Sequence, residues 1–424
     1  MKHLSWILII ACLSCHNPAD HKMEQSLQSL LEQKEYFKLK NTLALNEERI
    51  SPEKRLYFQA FVDNVFNRNS SSDEHIEVLL KQYNSLLSDS IRSDLLGLKA
   101  DNEFKTFQYA KAAASNNELI AHYRHVLDSS GYEDIKNTAL INNALANIPP
   151  QQAAITDNTT IPWTRDGIGL MEIPVSCHDS TYQSIFDTGA NISCITTSYA
   201  RRLGIRMLNV SYNVNTATGI TVKSALGIAD SLRIGNIVLQ HVVFQVMPDE
   251  VLSFPTIPFY INIIIGSPVI TQLKEVHIFR NGKMTIPLHP AGSKLGNLAL
   301  DGLDPVVSCN VEGDTLCFKF DSGSGQSDLT DTYFNKYKKY IQAHGKEKTI
   351  RVGGAGGSEN SKTYTLDSLH LRIGTQTVSL AEVPVHIDPG PQSGRKFYGN
   401  LGQDLVSKFD ELILNFDSMY IDFR

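Results

Sequence analysis

Long apolar runs, dense basic clusters and abundant cysteine are all missing from this chain, and each absence narrows what it does. Beyond the first fifteen residues no stretch approaches the ~20 apolar residues of a membrane-spanning helix. The 39 basic residues are outnumbered by 45 acidic ones and form no dense cluster, which removes nucleic acid from the expected partners. Six cysteines in 424 residues are too few for a disulfide scaffold. No Cys/His spacing matches a zinc site, so no metal and no cofactor is expected. His122 and His125 sit on an expected helix with no third ligand nearby and read as surface residues. The remaining composition, 42% apolar and 20% charged, is that of a folded chain of two to three domains.

The first fifteen residues stand apart. Met1-Lys2-His3 is a short basic start, Leu4 to Leu13 an apolar run, and Ser14-Cys15 follows. That is a signal peptide, too short to span a membrane. The small residue before Cys15, with polar residues after it, resembles a bacterial lipoprotein signal, and Cys12 is an alternative lipidation site. The resemblance implies export and a lipid anchor on a bacterial membrane, facing either the periplasm or the cell surface. A plain secretory signal with incidental cysteines is the other reading.

Glycine is scarce over residues 23–148, with only Gly97 and Gly131, and apolar residues there recur at helical spacing. Met23, Leu27, Leu30 and Leu31 form one stripe. Tyr57, Phe58, Phe61, Val62, Val65 and Phe66 form a second, and Ile76, Leu79, Leu80 and Tyr83 a third. Ser51-Pro52-Glu53 and Ser72-Asp73-Glu74 read as helix starts. The expectation is an all-α domain of five to seven helices, faintly tetratricopeptide-like but without a clean 34-residue period, and available to bind an unknown protein. Residues 149–162, opening on Pro149-Pro150, read as a linker. That boundary predicts that the chain from about Thr160 onward folds alone.

Beyond the linker short β-branched runs are split by glycine, and the pattern is built twice. Ser184-Ile185-Phe186 leads into Asp187-Thr188-Gly189-Ala190, and Phe318-Lys319-Phe320 leads into Asp321-Ser322-Gly323-Ser324. An apolar-apolar-Gly segment ends at Gly266, 79 residues after Asp187, and at Gly402, 81 residues after Asp321. Leu232-Arg233-Ile234-Gly235 matches Leu371-Arg372-Ile373-Gly374, and Val175-Ser176-Cys177 echoes Val307-Ser308-Cys309. These landmarks predict a duplicated β domain, one copy over 163–291 and one over 296–424.

An aspartate supplied once per copy suits a pair that shares one proton, because two adjacent like charges cannot both ionise. The ionised partner takes a proton from water while the protonated one hydrogen-bonds a scissile carbonyl. Thr188 and Ser322 are placed to hydrogen-bond across to the opposite copy, and Gly189 and Gly323 to present their amides to the carboxylates. The two motifs and their spacing resemble the aspartic proteases, in particular the retropepsin-like group of bacterial lipoproteins, over residues 163–424. The resemblance implies a closed β-barrel per lobe, catalytic Asp187 and Asp321, and a cleft for an extended polypeptide substrate. The chain is thus expected to be multidomain α+β: a helical domain, then a two-lobed all-β acid-protease fold. It is expected to act as an endopeptidase; the alternative is a catalytically silent peptide-binding or assembly module.

Three finer expectations follow. Gly353-Gly354-Ala355-Gly356-Gly357 and, in the first lobe, Thr216-Ala217-Thr218-Gly219 stand where the family has a flap over the cleft. Cys309 and Cys317 flank Glu312-Gly313-Asp314 symmetrically, so that a hairpin would set them opposite each other, although a buried free thiol fits as well. A hydroxyl at Ser324, where the first copy has Ala190, would lower the pKa of Asp321 if it donated to that carboxylate.

Overall fold

In a computed structural model the described residues are 20–216, 219–254, 259–354, 357–388 and 396–424. Cys12, Cys15 and Gly356 lie outside them. No described helix is long and apolar enough to cross a membrane.

Seven α-helices form the first region: α1 (His21–Glu32), α2 (Tyr36–Leu45), α3 (Pro52–Val65), α4 (Asn69–Gln82), α5 (Asp89–Lys105), α6 (Tyr109–Tyr123) and α7 (Ser129–Leu145). The first six form three pairs, each joined by the same tight turn. Its left-handed residue is Lys34, Asn67 or Phe107. Each pair ends in a short 3-10 segment, Glu47–Arg49, Asn84–Leu86 or Arg124–Val126. The turn positions carry no glycine, so the repeat leaves little trace in the sequence. Ser72 does not open α4, as its sequence neighbours suggested. That helix starts at Asn69, and Ser72 is fully buried inside it, its Oγ donating to the Ala60 carbonyl at 2.8 Å.

Each β unit is a circuit of six strands with the same order of pairings. In the first, Met171–Cys177 pairs antiparallel with Ser180–Phe186, which runs parallel to Ile263–Ile265. That strand lies antiparallel to Ser193–Thr196, which runs parallel to Ile237–Met247. Thr221–Ile234 then pairs antiparallel with Ile237–Met247 and returns to the start through Ser176 and Arg233. In the second unit the corresponding strands are Asp304–Val311, Asp314–Phe320, Gly399–Leu401, Asp328–Leu329, Gln376–His386 and Gly357–Ile373, with the same alternation of directions. Strict burial alternation along Met171–Cys177 shows why these residues form a strand with one face in a core. A further five-stranded sheet joins the units, with Glu275–Phe279 of one antiparallel to Glu411–Asn415 of the other.

The register corrects two expectations. Cys177 pairs with Ser180 and Val311 with Asp314, across turns with His178 and Glu312 at positive φ. The structural counterpart of Cys177 is therefore Val311, not Cys309, and the sequence echo is displaced by one pleat. By the same register Cys317 faces Ser308 and Cys309 faces Leu316. Directly opposed residues share a face and neighbours along a strand do not, so the two thiols point to opposite sides. Both are buried and free, as are Cys177 and Cys194.

The expected linker is woven into the β region. Gln152–Ala154 adds to the first unit beside Ile237–Met247, and Thr159–Pro162 joins the shared sheet beside Lys283–Ile286. Buried Gln151 exchanges hydrogen bonds with Gln272. The helices also rest on both units. Tyr109 and Leu145 share an apolar cluster with Tyr212, Leu226, Ile228 and Val243 of the first. Glu35 accepts from the Tyr398 hydroxyl at 2.9 Å in the second, where Asp301 accepts from Lys34 at 2.6 Å and from the Tyr36 hydroxyl at 2.5 Å.

Candidate active site

Asp187 and Asp321 each follow the end of a strand that runs parallel to an apolar-apolar partner. Asp187 N donates to Ile265 O at 3.0 Å and Asp321 N to Leu401 O at 2.9 Å, so each aspartate leaves its sheet at an equivalent point. The next residue of each loop reaches across. Thr188 Oγ1 donates to Phe320 O at 3.0 Å and accepts from Ser322 N at 3.0 Å. Ser322 Oγ donates to Phe186 O at 2.7 Å and accepts from Thr188 N at 3.0 Å. Both side chains are fully buried, and the four bonds are reciprocal, so neither loop can shift without unpairing buried groups on the other.

Gly189 N donates to Asp187 Oδ1 at 2.7 Å, and Gly323 N to Asp321 Oδ1 at 2.9 Å. Each glycine also lies against the opposite carboxyl: a Cβ on Gly189 would come within 2.5 Å of Asp321 Oδ1, and one on Gly323 would collide with Asp187. No other residue fits between the two acids. Thr188, Gly189, Ser322 and Gly323 thus each touch the opposite loop or one of the two carboxyls.

Ser324 departs from expectation. Its hydroxyl donates to Gln326 O at 2.9 Å rather than to Asp321. The loop turns back on itself here, and the Gln326 carbonyl accepts the hydrogen bond.

Burial pushes the Asp187 carboxyl well above the usual carboxylate range, reinforced by the charge of Asp321 and a hydrogen bond to it. The Gly189 amide and the Lys319 ammonium pull the other way. Lys319 is itself buried and paired with Asp304 at 3.1 Å. Beside the dyad, burial and the Asp187 charge push the Cys194 thiol up to about 12. It stays protonated at ordinary pH, which excludes it as a nucleophile. Among the described residues no cluster of His, Cys, Asp and Glu is arranged to hold a metal ion.

A second tier of residues escaped sequence reasoning. Ser193 Oγ accepts from Gly266 N at 3.0 Å, and Ser327 Oγ accepts from Gly402 N at 2.9 Å. Both serines are buried and lie six residues after their aspartates, a match visible in the sequence. Ser267 Oγ donates to Thr188 O at 2.7 Å, and Gln403 Nε2 to Ser322 O at 2.8 Å. These two occupy the same position after Gly266 and Gly402 but differ in type, so no motif flags them.

The glycines expected in flaps sit at hairpin ends. Gly219 lies in the turn between Arg206–Asn215 and Thr221–Ile234, its N donating to Thr216 O at 2.9 Å. Gly353, Gly354 and Gly357 close the hairpin of Lys346–Gly354 with Gly357–Ile373, where Gly354 faces Gly357.

A family model described as aspartyl protease matches residues 173–269, which carry the Asp187 loop and its Gly266 partner segment. No curated protein matches the chain. Among solved structures, that of basic 7S globulin from soybean aligns with a TM-score of 0.40 at 10% identity, over 63% of this chain and 94% of its own. So loose a likeness carries no argument. The family match and the paired loops together define a protease-like β fold with an aspartate from each half.

Proposed function

We propose that the chain is an aspartic endopeptidase whose dyad is Asp187 and Asp321, built from two copies of one ancestral lobe. The reciprocal Thr188–Ser322 contact, which holds both carboxyls in one site, carries this reading. The identical order of strand pairings in the two units supports duplication and a closed barrel in each. In the reaction Asp187 is assigned as the general acid and Asp321 as the general base. Asp321 takes a proton from water as its oxygen attacks the scissile carbonyl carbon, and Asp187 donates its proton to the carbonyl oxygen. Asp321 then protonates the leaving amine as the C–N bond breaks, and the proton returns to Asp187. Gly219, Gly353, Gly354 and Gly357 are assigned to hairpins over the substrate.

The test is mass spectrometry of a denatured protein incubated with the purified chain. Cleavage by wild type and none by Asp187→Asn is expected; intact substrate with wild type at every pH from acidic to neutral would leave a peptide-binding module. Export and lipid attachment at Cys15, or at Cys12, belong to the same proposal and rest on residues 1–15. Radiolabelled fatty acid should enter wild type and not Cys15→Ser.

A further inference from the structure

Behind each catalytic loop stands one peptide group that links the aspartate to the fold. In the first unit it is Thr188–Gly189: its N–H donates to Asp187 Oδ1 at 2.7 Å and its carbonyl accepts from the neutral Ser267 hydroxyl at 2.7 Å. In the second it is Ser322–Gly323: its N–H donates to Asp321 Oδ1 at 2.9 Å and its carbonyl accepts from Gln403 Nε2 at 2.8 Å. Here the chain continues. Gln403 Oε1 accepts from Arg165 Nη1 at 3.1 Å, so the amide is fixed with its nitrogen toward the loop. Gln403 is buried, whereas Arg165 is exposed and turns one nitrogen inward, which also donates to Gly169 O at 2.6 Å.

We propose that Arg165 and Gln403 are a positioning relay that acts through the Ser322–Gly323 peptide to make Asp321 the carboxyl that ionises first. Hydrogen bonds in a chain polarise one another. A cationic donor at the far end makes the Gly323 N–H a better donor, and a better donor favours the charged form of its acceptor. Ser267 ends its chain in a neutral hydroxyl, so Asp187 receives no such help. The other charged groups near the pair do not supply the difference. Lys319, paired with Asp304, favours the charged form of Asp187; Asp404 is engaged by Ser327, and Asp166 helps keep Arg165 charged.

The proposal rests on the peptidase reading, and its test has one readout that needs no turnover. In the pH profile of kcat/KM, Arg165→Met and Gln403→Leu should move the acidic limb up by about half a pH unit, with the basic limb little changed. Arg165→Lys keeps the charge and should stay closer to wild type. Ser267→Ala should instead move the basic limb, and Ser324→Ala neither. Independently, NMR of carboxyl-labelled aspartate should show Asp321 titrating first in wild type, with its midpoint raised in both relay variants. An inactive wild type that still shows that titration order overturns the peptidase and keeps the relay. If Asp187 titrates first, or if the Asp321 midpoint stays put in folded Arg165→Met, the relay is wrong. Arg165 is exposed, so this second variant keeps the test decisive should Gln403→Leu fail to fold.

Discussion

The helices meet the two β units through different chemistry. On the first, Tyr109 and Leu145 are packed among Tyr212, Leu226, Ile228 and Val243, an apolar joint. On the second, the joint includes buried Glu35, which takes a hydrogen bond from Tyr398 and pairs with Lys38 at 3.1 Å, and half-buried Asp301, held by Lys34 and Tyr36. Inside, the units are alike down to the serine that caps Gly266 or Gly402. Equivalence is therefore kept where the two aspartates must meet and lost where each unit meets something different. The helical region holds both units from outside, while the Thr188–Ser322 contact holds them from within.

The largest expected effect tests the equivalence of the aspartates. Asp187→Ala and Asp321→Ala should each lower cleavage by at least about a thousandfold, since each removes a proton-transfer partner. Mixing the two variants should restore nothing, because both loops of one site come from one chain. Recovery on mixing would show a dyad assembled between chains.

Removing the helices comes next. A chain starting at Thr160 would expose the cluster around Leu226 and Val243, lose the strand Gln152–Ala154 and leave Cys317 without its Glu35 partner. It is expected to lose cooperative unfolding by circular dichroism, contrary to the boundary read from the sequence. A sharp transition and retained cleavage would show that the β region is self-sufficient. A milder cut, Leu145→Ala, should cost about 2–4 kcal/mol in chemical denaturation, as for other fully buried leucines.

That contrast explains what the sequence made legible. The aspartate loops, their strands and the Gly266 and Gly402 segments were readable because a close approach of two backbones permits few residue types. Ser267 and Gln403 were not, because any side chain able to donate to the carbonyl behind the loop will serve. The helix turns at Lys34, Asn67 and Phe107 escaped for a related reason: the left-handed conformation is held by packing and two backbone bonds, and glycine is not required. Pro149-Pro150 suggested a linker because composition reports local stiffness and says nothing of the edge strands that follow. The acceptor of the Ser324 hydroxyl stays open in the sequence, since proximity along the chain cannot choose between a carboxylate and the Gln326 carbonyl.

The inner contact should be symmetric in energy. Thr188→Val strips the partners from Ser322 N and Phe320 O; Ser322→Ala does the same to Thr188 N and Phe186 O. Each leaves two buried backbone groups unpaired, worth about 2–4 kcal/mol together. Denaturant midpoints should fall equally in the two variants, and the double variant should fall by less than their sum, because the four bonds form one ring. Full additivity would mean that the two halves of the contact act independently.

The smallest expected effect separates the aspartates by pH. Asp187 binds its proton more tightly in the folded chain than an unfolded carboxyl near 4 does. Between that value and its raised folded pKa, the native state therefore carries more protons than the unfolded one. Stability must then fall as pH rises through this window. Below it both states hold the proton and the penalty vanishes. Asp187→Asn removes the titration, so the variant should gain on wild type as pH rises above about 4 and show no gain near pH 3. Parallel stability curves for the two proteins across that window, measured by urea unfolding, would mean that Asp187 is not the member of the pair that keeps the proton.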